Sequence, residues 1–311
     1  MRTRARITEM AAGAKPFFIF CSFWKPHGPY EVPVPFDSMY NDVNIPLPEP
    51  ESPQSIGQLP LPVQKLFMRE KKLEYTTDRQ DLEWIYRSYY GTVSHIDREV
   101  GLVLDTLKAA GVADNTIVIF NADHGDQLLE HGSFGKNVFF ESSIHVPMLI
   151  AYPHHIMSGK YDSLAECVDV LPTLFELIGL DQPQSCQGRS LVSLIDGSGR
   201  PKEPRDEVFC ENVIPEIITG KEMLFEFEKG KGVAGIRHPD AKMVRTERWK
   251  YNYYPDGYAE LYDLQADPRE RRNLADDPAE KLVIDDMKSR LLQWLITADE
   301  PDQIQPRWLI H

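Results

Sequence analysis

The chain has 311 residues, 42% of them apolar, enough for a substantial core in one large domain or in a large and a small one. Its 48 acidic residues outnumber 34 basic ones and leave a net charge of −14, which excludes a generic nucleic-acid binder with a basic surface. An anionic ligand must then be met by a local cluster of positive groups or by a metal.

The start, MRTRARITEMAAGAKPFF, has basic residues but no continuous apolar stretch or cleavage site, so no export signal is expected in it. It reads as the end of an amphipathic helix leading into a strand, which makes further sequence upstream the expectation. Phe17 to Phe23 is short, apolar and aromatic and ends at WKPHGPY, which predicts a buried strand delivering a loop. Residues 31–63 are rich in proline, which forbids regular helix or a central strand. From about Thr77, Leu82, Ile85, Tyr89, Val93, Ile96, Val100, Leu104 and Leu107 recur at spacings of three and four. That period predicts a helix with one face packed on a sheet, ended by Gly111.

NTIVIF (115–120) and VPMLIAYP (146–153) read as further buried strands, and DVLPTLFELIGL (169–180) as a helix. Continuous apolar strands interleaved with helices imply an α/β sheet covered on both faces. After Gly197 this rhythm is lost, and residues 198–240 are polar and rich in glycine and charge. AKMVRTERWKYNYY and AELYDL read as paired antiparallel strands, and PAEKLVIDDMKSRLLQWLITAD as a helix. The expected division is a main α/β domain over 1–197 and a small α+β unit over 198–311. No internal repeat is visible and no run approaches the length of a transmembrane helix. Cys21, Cys167, Cys186 and Cys210 are widely spaced, without CxxC pairs, and do not fix the redox compartment.

In α/β sheets ligands bind where loops leave the carboxyl ends of the strands, and WKPHGPY and NADHGDQ are two such loops. Asp123 and His124 are adjacent, with Gly125 behind them to let the backbone turn. A carboxylate and an imidazole suit a divalent cation, although two ligands are too few to hold one; alone, the pair reads first as a solvated turn. Lys136, after Gly135, either points an ammonium at an anion held by the metal or is a surface lysine. His27, between Pro26 and Pro29, sits in a stiff loop suited to hydrogen bonding or proton transfer. His131 ranks below these as a residue backing the ligands, His145 reads as packing and Asp126 as a turn residue. Arg245, Lys250 and Tyr251 either line a substrate mouth or serve as solvated or packing side chains.

Seven blocks occur in a telling order: SFWKPHGPY, YYGTVSHIDREVGLVLDTLKAAG, NTIVIFNADHGDQLLEHGSFGK, VPMLIAYP, DVLPTLFELIGL, GRSLVSLIDG, and RTERWKYNYY with ELYDLQADPRERRNLADDP. Together, from about residue 16 to 280, they resemble the sulfatase family of the alkaline-phosphatase-like superfamily. KPHGPY and the histidine after the aspartate are most similar to the iduronate-sulfatase and heparan-sulfatase-like branch. The resemblance implies an alkaline-phosphatase-like sheet flanked by helices, its N-terminal part missing, with a small C-terminal α+β subdomain. It implies hydrolysis of a sulfuric ester, with a sulfated sugar or aryl sulfate as substrate. Asp123 and His124 then resemble two of the family's calcium ligands, with manganese or magnesium as alternatives. Lys136 resembles the sulfate-contacting lysine, and His27 the histidine that hydrogen-bonds the sulfate or assists the leaving group. Full-length relatives are often periplasmic, secreted or lysosomal; for this chain, without a signal, the default is cytoplasmic.

The family's nucleophile is a cysteine or serine oxidised to formylglycine within CxPSR or CxAxR, and the chain holds no such motif. Cys186 in SCQGRS has Arg189 after it but lacks the proline or alanine. The aspartate pair that completes the family's metal site is absent too. The chain is therefore expected to be the carboxyl-terminal part of such an enzyme, inactive alone, with an upstream fragment as partner and apolar sheet faces left exposed. Two other readings stand beside this one: a phosphonate monoester or phosphodiester hydrolase of the same superfamily, and a non-catalytic glycan-binding remnant.

Overall fold

A computed structural model describes residues 2–48, 79–132, 134–136, 138–197, 205–212, 241–255 and 257–298. The proline-rich stretch beyond residue 48 and most of the polar stretch 198–240 lie outside the described residues.

The first helix, α1 (Arg2–Ala11), buries Ile7, and Arg4 Nε donates to Thr106 Oγ1 at 3.1 Å on the long helix α2 (Arg79–Ala109). Asp81 in the first turn and Lys108 in the last suit the α2 dipole. Gly111, at φ +71°, closes the helix: its N–H donates to Lys108 O, and that of Val112 to Leu107 O. The predicted apolar stripe is only partly the buried one. Leu82 and Leu107 are buried, but Val93 is 44% exposed, and Tyr86, Ser88 and Thr92 are buried instead.

That face meets a loop and not the expected sheet. Ile45, Tyr86 and Leu128 form a cluster with Tyr30, Tyr40 and Leu47 packed against it. An irregular segment offers polar partners that tyrosine hydroxyls need, as where Tyr40 Oη and Ser94 Oγ lie 2.7 Å apart. Residues 31–48 form turns without helix or strand, as their prolines require.

β1 (Val118–Asn121) and β2 (Met148–Ala151) pair antiparallel, Val118 opposite Ala151 and Asn121 opposite Met148. The sheet is not covered on both faces by described residues, since Phe120 and Leu149 are exposed. Phe17 to Phe23 is extended but carries no strand pairing, and Phe18 and Phe20 are 75% and 83% exposed. The predicted buried strand is thus corrected to an extended segment. Its alternation survives, with Phe17 and Ile19 half-buried, but among the described residues no ladder partner holds it.

Between β1 and β2 lies the single turn α3 (Glu141–Ile144); after β2 come α4 (Val170–Leu177) and the short α5 (Val192–Ile195). Asp169, before α4, is wholly buried and accepts both Arg205 Nη1 and Nη2, at 2.5 and 2.8 Å, as well as Arg189 N–H at 2.8 Å.

The second sheet runs β3 (Val208–Asn212), β4 (Ala241–Arg245), β5 (Trp249–Tyr253) and β6 (Ala259–Asp263), antiparallel and in that order. β4 to β6 are the strands expected from AKMVRTERWKYNYY and AELYDL; β3 adds one from the stretch read as polar. Pairing places Val244 opposite Tyr251 and Tyr251 opposite Leu261. These three share the face covered by α6 (Lys281–Ala298) through Met287 and Leu291. The opposite face carries Met243, Arg245, Lys250, Asn252, Glu260 and Tyr262. Against this face pack Phe139, beside Met243, and Val138 and Phe140, beside Tyr262. The chain just beyond Lys136 is therefore built into the second sheet. The architecture is mixed α/β, as expected, and among the described residues no helix is long and apolar enough to cross a membrane.

Candidate active site

β1 ends at Asn121 and releases Asp123, His124 and Gly125 into a loop. The Asp123 side chain is 88% exposed, and its Oδ1 accepts the His124 N–H at 3.0 Å. His124 Nδ1 lies 2.7 Å from Gly125 O. A carbonyl only accepts, so Nδ1 carries the proton and the neutral ring keeps its lone pair on Nε2. That Nε2 lies 3.6 Å from Asp123 Oδ2. A carboxylate oxygen and an imidazole nitrogen thus sit side by side with lone pairs available, and the second ring nitrogen is fixed from behind as metal-binding histidines require.

Gly125 has a different reason from the sharp turn expected of it. Its N–H donates to Ser143 O at 2.7 Å, and a Cβ there would lie 2.0 Å from Ser142 O. Close approach of the α3 backbone excludes any side chain.

Asp126, read as a turn residue, is a junction. Its Oδ1 accepts the N–H groups of Leu128 at 3.1 Å and Gly135 at 2.9 Å, and its Oδ2 accepts Tyr30 Oη–H at 2.9 Å. Gln127 N–H donates to Gly135 O at 2.9 Å, and Gln127 Nε2 to Ser143 Oγ at 2.9 Å. The loop so closed holds Leu128, Leu129 and His131 at positive φ, a cost that its hydrogen bonds and packing must offset. Lys136 follows at once, half-buried and without an ion pair among the described residues.

His27 is exposed, its Nδ1 lies 2.7 Å from Gly28 O, and its ring rests against Trp24 at 4.7 Å. Its Nε2 is left available by the same logic as for His124. Lys25 Nζ donates to Pro29 O, and Tyr30 lies against Tyr89 and Phe134. The bond from Tyr30 to Asp126 joins the two loops that carry all four sequence-predicted site residues. Among the described residues no group of three or more His, Cys, Asp or Glu side chains could hold a metal ion, so Asp123 and His124 stand as a pair.

The secondary candidates fare differently. His131 is buried, stacked on Phe140 at 3.6 Å with 4° between the rings. Burial first, and then Lys250, push its imidazole down to about 4, which keeps it neutral. It is a core side chain. His145, read as packing, is exposed, its Nδ1 3.5 Å from Glu141 Oε2, because it projects from the end of a one-turn helix. Lys250 is wholly buried, with Nζ 3.0 Å from Glu141 Oε1 and in contact with Glu270 Oε1. Arg245 Nε reaches Glu141 Oε1 at 3.1 Å, and Tyr251 lies beneath α6. Of the readings open for Arg245, Lys250 and Tyr251, the packing one is what the structure shows.

The sequence reading missed the charges around these residues. Burial works against the charged form of Glu141, but Lys250 and Arg245 outweigh it and hold the carboxyl below its ordinary range. Glu260, buried on the same face, accepts Asn252 Nδ2–H at 2.7 Å and is pushed up by burial to about 7. The only sequence signal was an acid among apolar residues in AELYDL.

The same architecture is found in the phosphonate monoester hydrolase of Agrobacterium radiobacter, which superposes with a TM-score of 0.79 at 28% identity, over 95% of this chain and 60% of that one. The fold is that of the alkaline-phosphatase-like hydrolases. Residues 3–180 match the Sulfatase family model, and 129–296 match that of N-sulphoglucosamine sulphohydrolase, C-terminal. The chain belongs to the sulfatase family. It is 27% identical to the multifunctional alkaline phosphatase superfamily protein PehA of Trinickia caryophylli, over 91% of this chain and 56% of the relative. It is 28% identical to an arylsulfatase of Clostridium perfringens, over 92% of this chain and 55% of the relative. The chain thus spans a little over half the length of these relatives.

Proposed function

We propose that this chain carries half of the active site of a metal-dependent sulfuric ester hydrolase. The carrying observation is the pair at the end of β1, where Gly125 O fixes the His124 tautomer and leaves Nε2 beside the exposed carboxylate of Asp123. That donor set fits a divalent cation, calcium first and manganese or magnesium as alternatives. Bound there, the cation supplies Lewis-acid stabilisation of an anionic oxygen.

The remaining chemistry belongs to the chain's own side chains. Lys136, without an ion pair among the described residues, supplies the ammonium that neutralises a sulfate oxygen. His27, with Nδ1 donating to Gly28 O, offers Nε2 for a proton that is passed to the leaving alcohol. No nucleophile is assigned within the chain, because no CxPSR or CxAxR motif is present in it. The substrate class is a sulfated sugar or an aryl sulfate, consistent with the arylsulfatase relative.

The test has two arms. Calorimetric titration with calcium, manganese and magnesium, made on the chain completed with the upstream segment of a relative so that the pair gains further ligands, should give binding that Asp123→Ala weakens; metal affinity unchanged in that variant would sink the metal pair. The completed chain, its upstream segment bearing the nucleophile motif, should also be offered aryl sulfate, sugar sulfate, phosphonate monoester and phosphodiester. Turnover led by the sulfates and lost in Lys136→Ala is the expected result. The phosphonate substrates stand in that panel because of the likeness to the Agrobacterium hydrolase. Turnover led by phosphonate would replace the sulfate reading with that one.

A further inference from the structure

We propose that Asp126 is a positioning residue that holds the His27 loop and the Lys136 loop as one rigid unit. The inference rests on the reading of His27 and Lys136 as anion-contacting groups. One carboxylate receives three donors from three places in the chain. Leu128 N–H comes from its own turn, Gly135 N–H from the residue before Lys136, and Tyr30 Oη–H from the loop that carries His27. The Tyr30 ring is held in turn between Tyr89 and Phe134, so the hydroxyl is delivered by a packed side chain. Each donor removes one direction in which the carboxylate could swing. Losing the bond to Tyr30 would free Asp126 to rotate and slacken its hold on Gly135. Losing the charge on Asp126 would release Tyr30 and the turn before it, where Glu31 N–H donates to Pro29 O and His27 N–H to Trp24 O. Two amine and imidazole groups that must meet one anion gain from such a link, because misplacement of either costs binding and rate.

Hydrogen exchange on the chain as it stands tests the link directly. Tyr30→Phe keeps the ring and removes only the hydroxyl; Asp126→Ala removes the acceptor that Tyr30 reaches and leaves nothing that could donate to its oxygen. Tyr30→Phe should speed exchange of the Leu128 and Gly135 amides, and Asp126→Ala that of the His27 and Glu31 amides. About tenfold is expected in each case, as loss of a hydrogen bond to a charged acceptor implies. If each variant loosens only its own segment, or neither loosens any, the proposal is overturned.

A second arm reads the function. Inorganic sulfate is titrated calorimetrically with calcium present. Tyr30→Phe should weaken sulfate about tenfold, but not further when added to Lys136→Ala. Equal weakening in both backgrounds would overturn action through Lys136. If the unaltered chain takes up no sulfate while exchange remains coupled across the loops, the function assigned to Lys136 fails and the link itself stands.

Discussion

Replacing Glu260 with glutamine should stabilise the protein at neutral and alkaline pH while leaving it unchanged in acid. Glu260 lies on the face of the second sheet turned toward residues 138–144. The cations there are Arg245, engaged by Glu141, and Lys250, engaged by Glu141 and Glu270. The other groups facing Glu260 are Asn252, Tyr254, Tyr262 and the like-charged Glu270. Burial, the largest cause, raises the carboxyl from 4.5 to about 7. The unfolded chain gives up this proton near its ordinary value and the folded chain near 7. Stability from this group is therefore complete below the ordinary value, falls as pH rises toward 7 and stays lost above it. The loss amounts to about 3 kcal/mol, or about 5 °C in Tm for a chain of this size. A proton on the carboxyl removes the buried charge that carries this penalty. Glutamine has the same shape and is neutral at every pH. Thermal melts of both proteins from pH 4 to 9 should show a difference that opens between the ordinary carboxyl range and 7. A difference that is flat with pH, or a variant less stable at pH 8, would refute the reasoning.

Lys250→Met should cost about 3–5 kcal/mol in urea unfolding, because it strips the buried Glu270 of its cation and leaves the half-buried Glu141 to Arg245; a loss under about 1 kcal/mol would show that Glu270 finds another partner. Gly125→Ala should lower stability by about 2–3 kcal/mol, through the clash with Ser142 O, in a thermal melt. Gly111→Ala has open space around it but keeps φ +71°, so about 1–2 kcal/mol is expected in the same melt, from backbone strain alone.

Much of the fold was legible because its signals are local. The period of α2, the apolar run of β1 and the strands flanking Arg245 to Trp249 are written within windows of a few residues, and they appear where expected. What failed depends on partners far along the chain. Phe17 to Phe23 has the composition of a strand, yet a ladder takes two sides. Val93 belongs to the apolar stripe of α2, yet the loop at 30–47 presents tyrosines and draws Tyr86 and Thr92 inward instead. At the candidate site, residue type and the family resemblance singled out Asp123, His124, Lys136 and His27. Asp126 escaped notice because an aspartate after glycine looks like a turn, and its partner Tyr30 is 96 positions away. Lys250 was named, but its partners were not: a lysine in a strand looks solvent-facing until Glu141 and Glu270 are found beside it.

Glu141 ties α3 to the second sheet. Its N–H donates to Glu270 Oε2 at 2.7 Å while its own carboxylate takes Arg245 and Lys250. Four charged residues, Glu141 and three that lie 104 to 129 positions further on, thus solve one electrostatic problem jointly. Anyone building a chimaera from two relatives will find that the seam near residue 197, convenient on paper, separates Glu141 from the residues that make it tolerable. A graft that carries the second sheet must bring residues 138–144 with it.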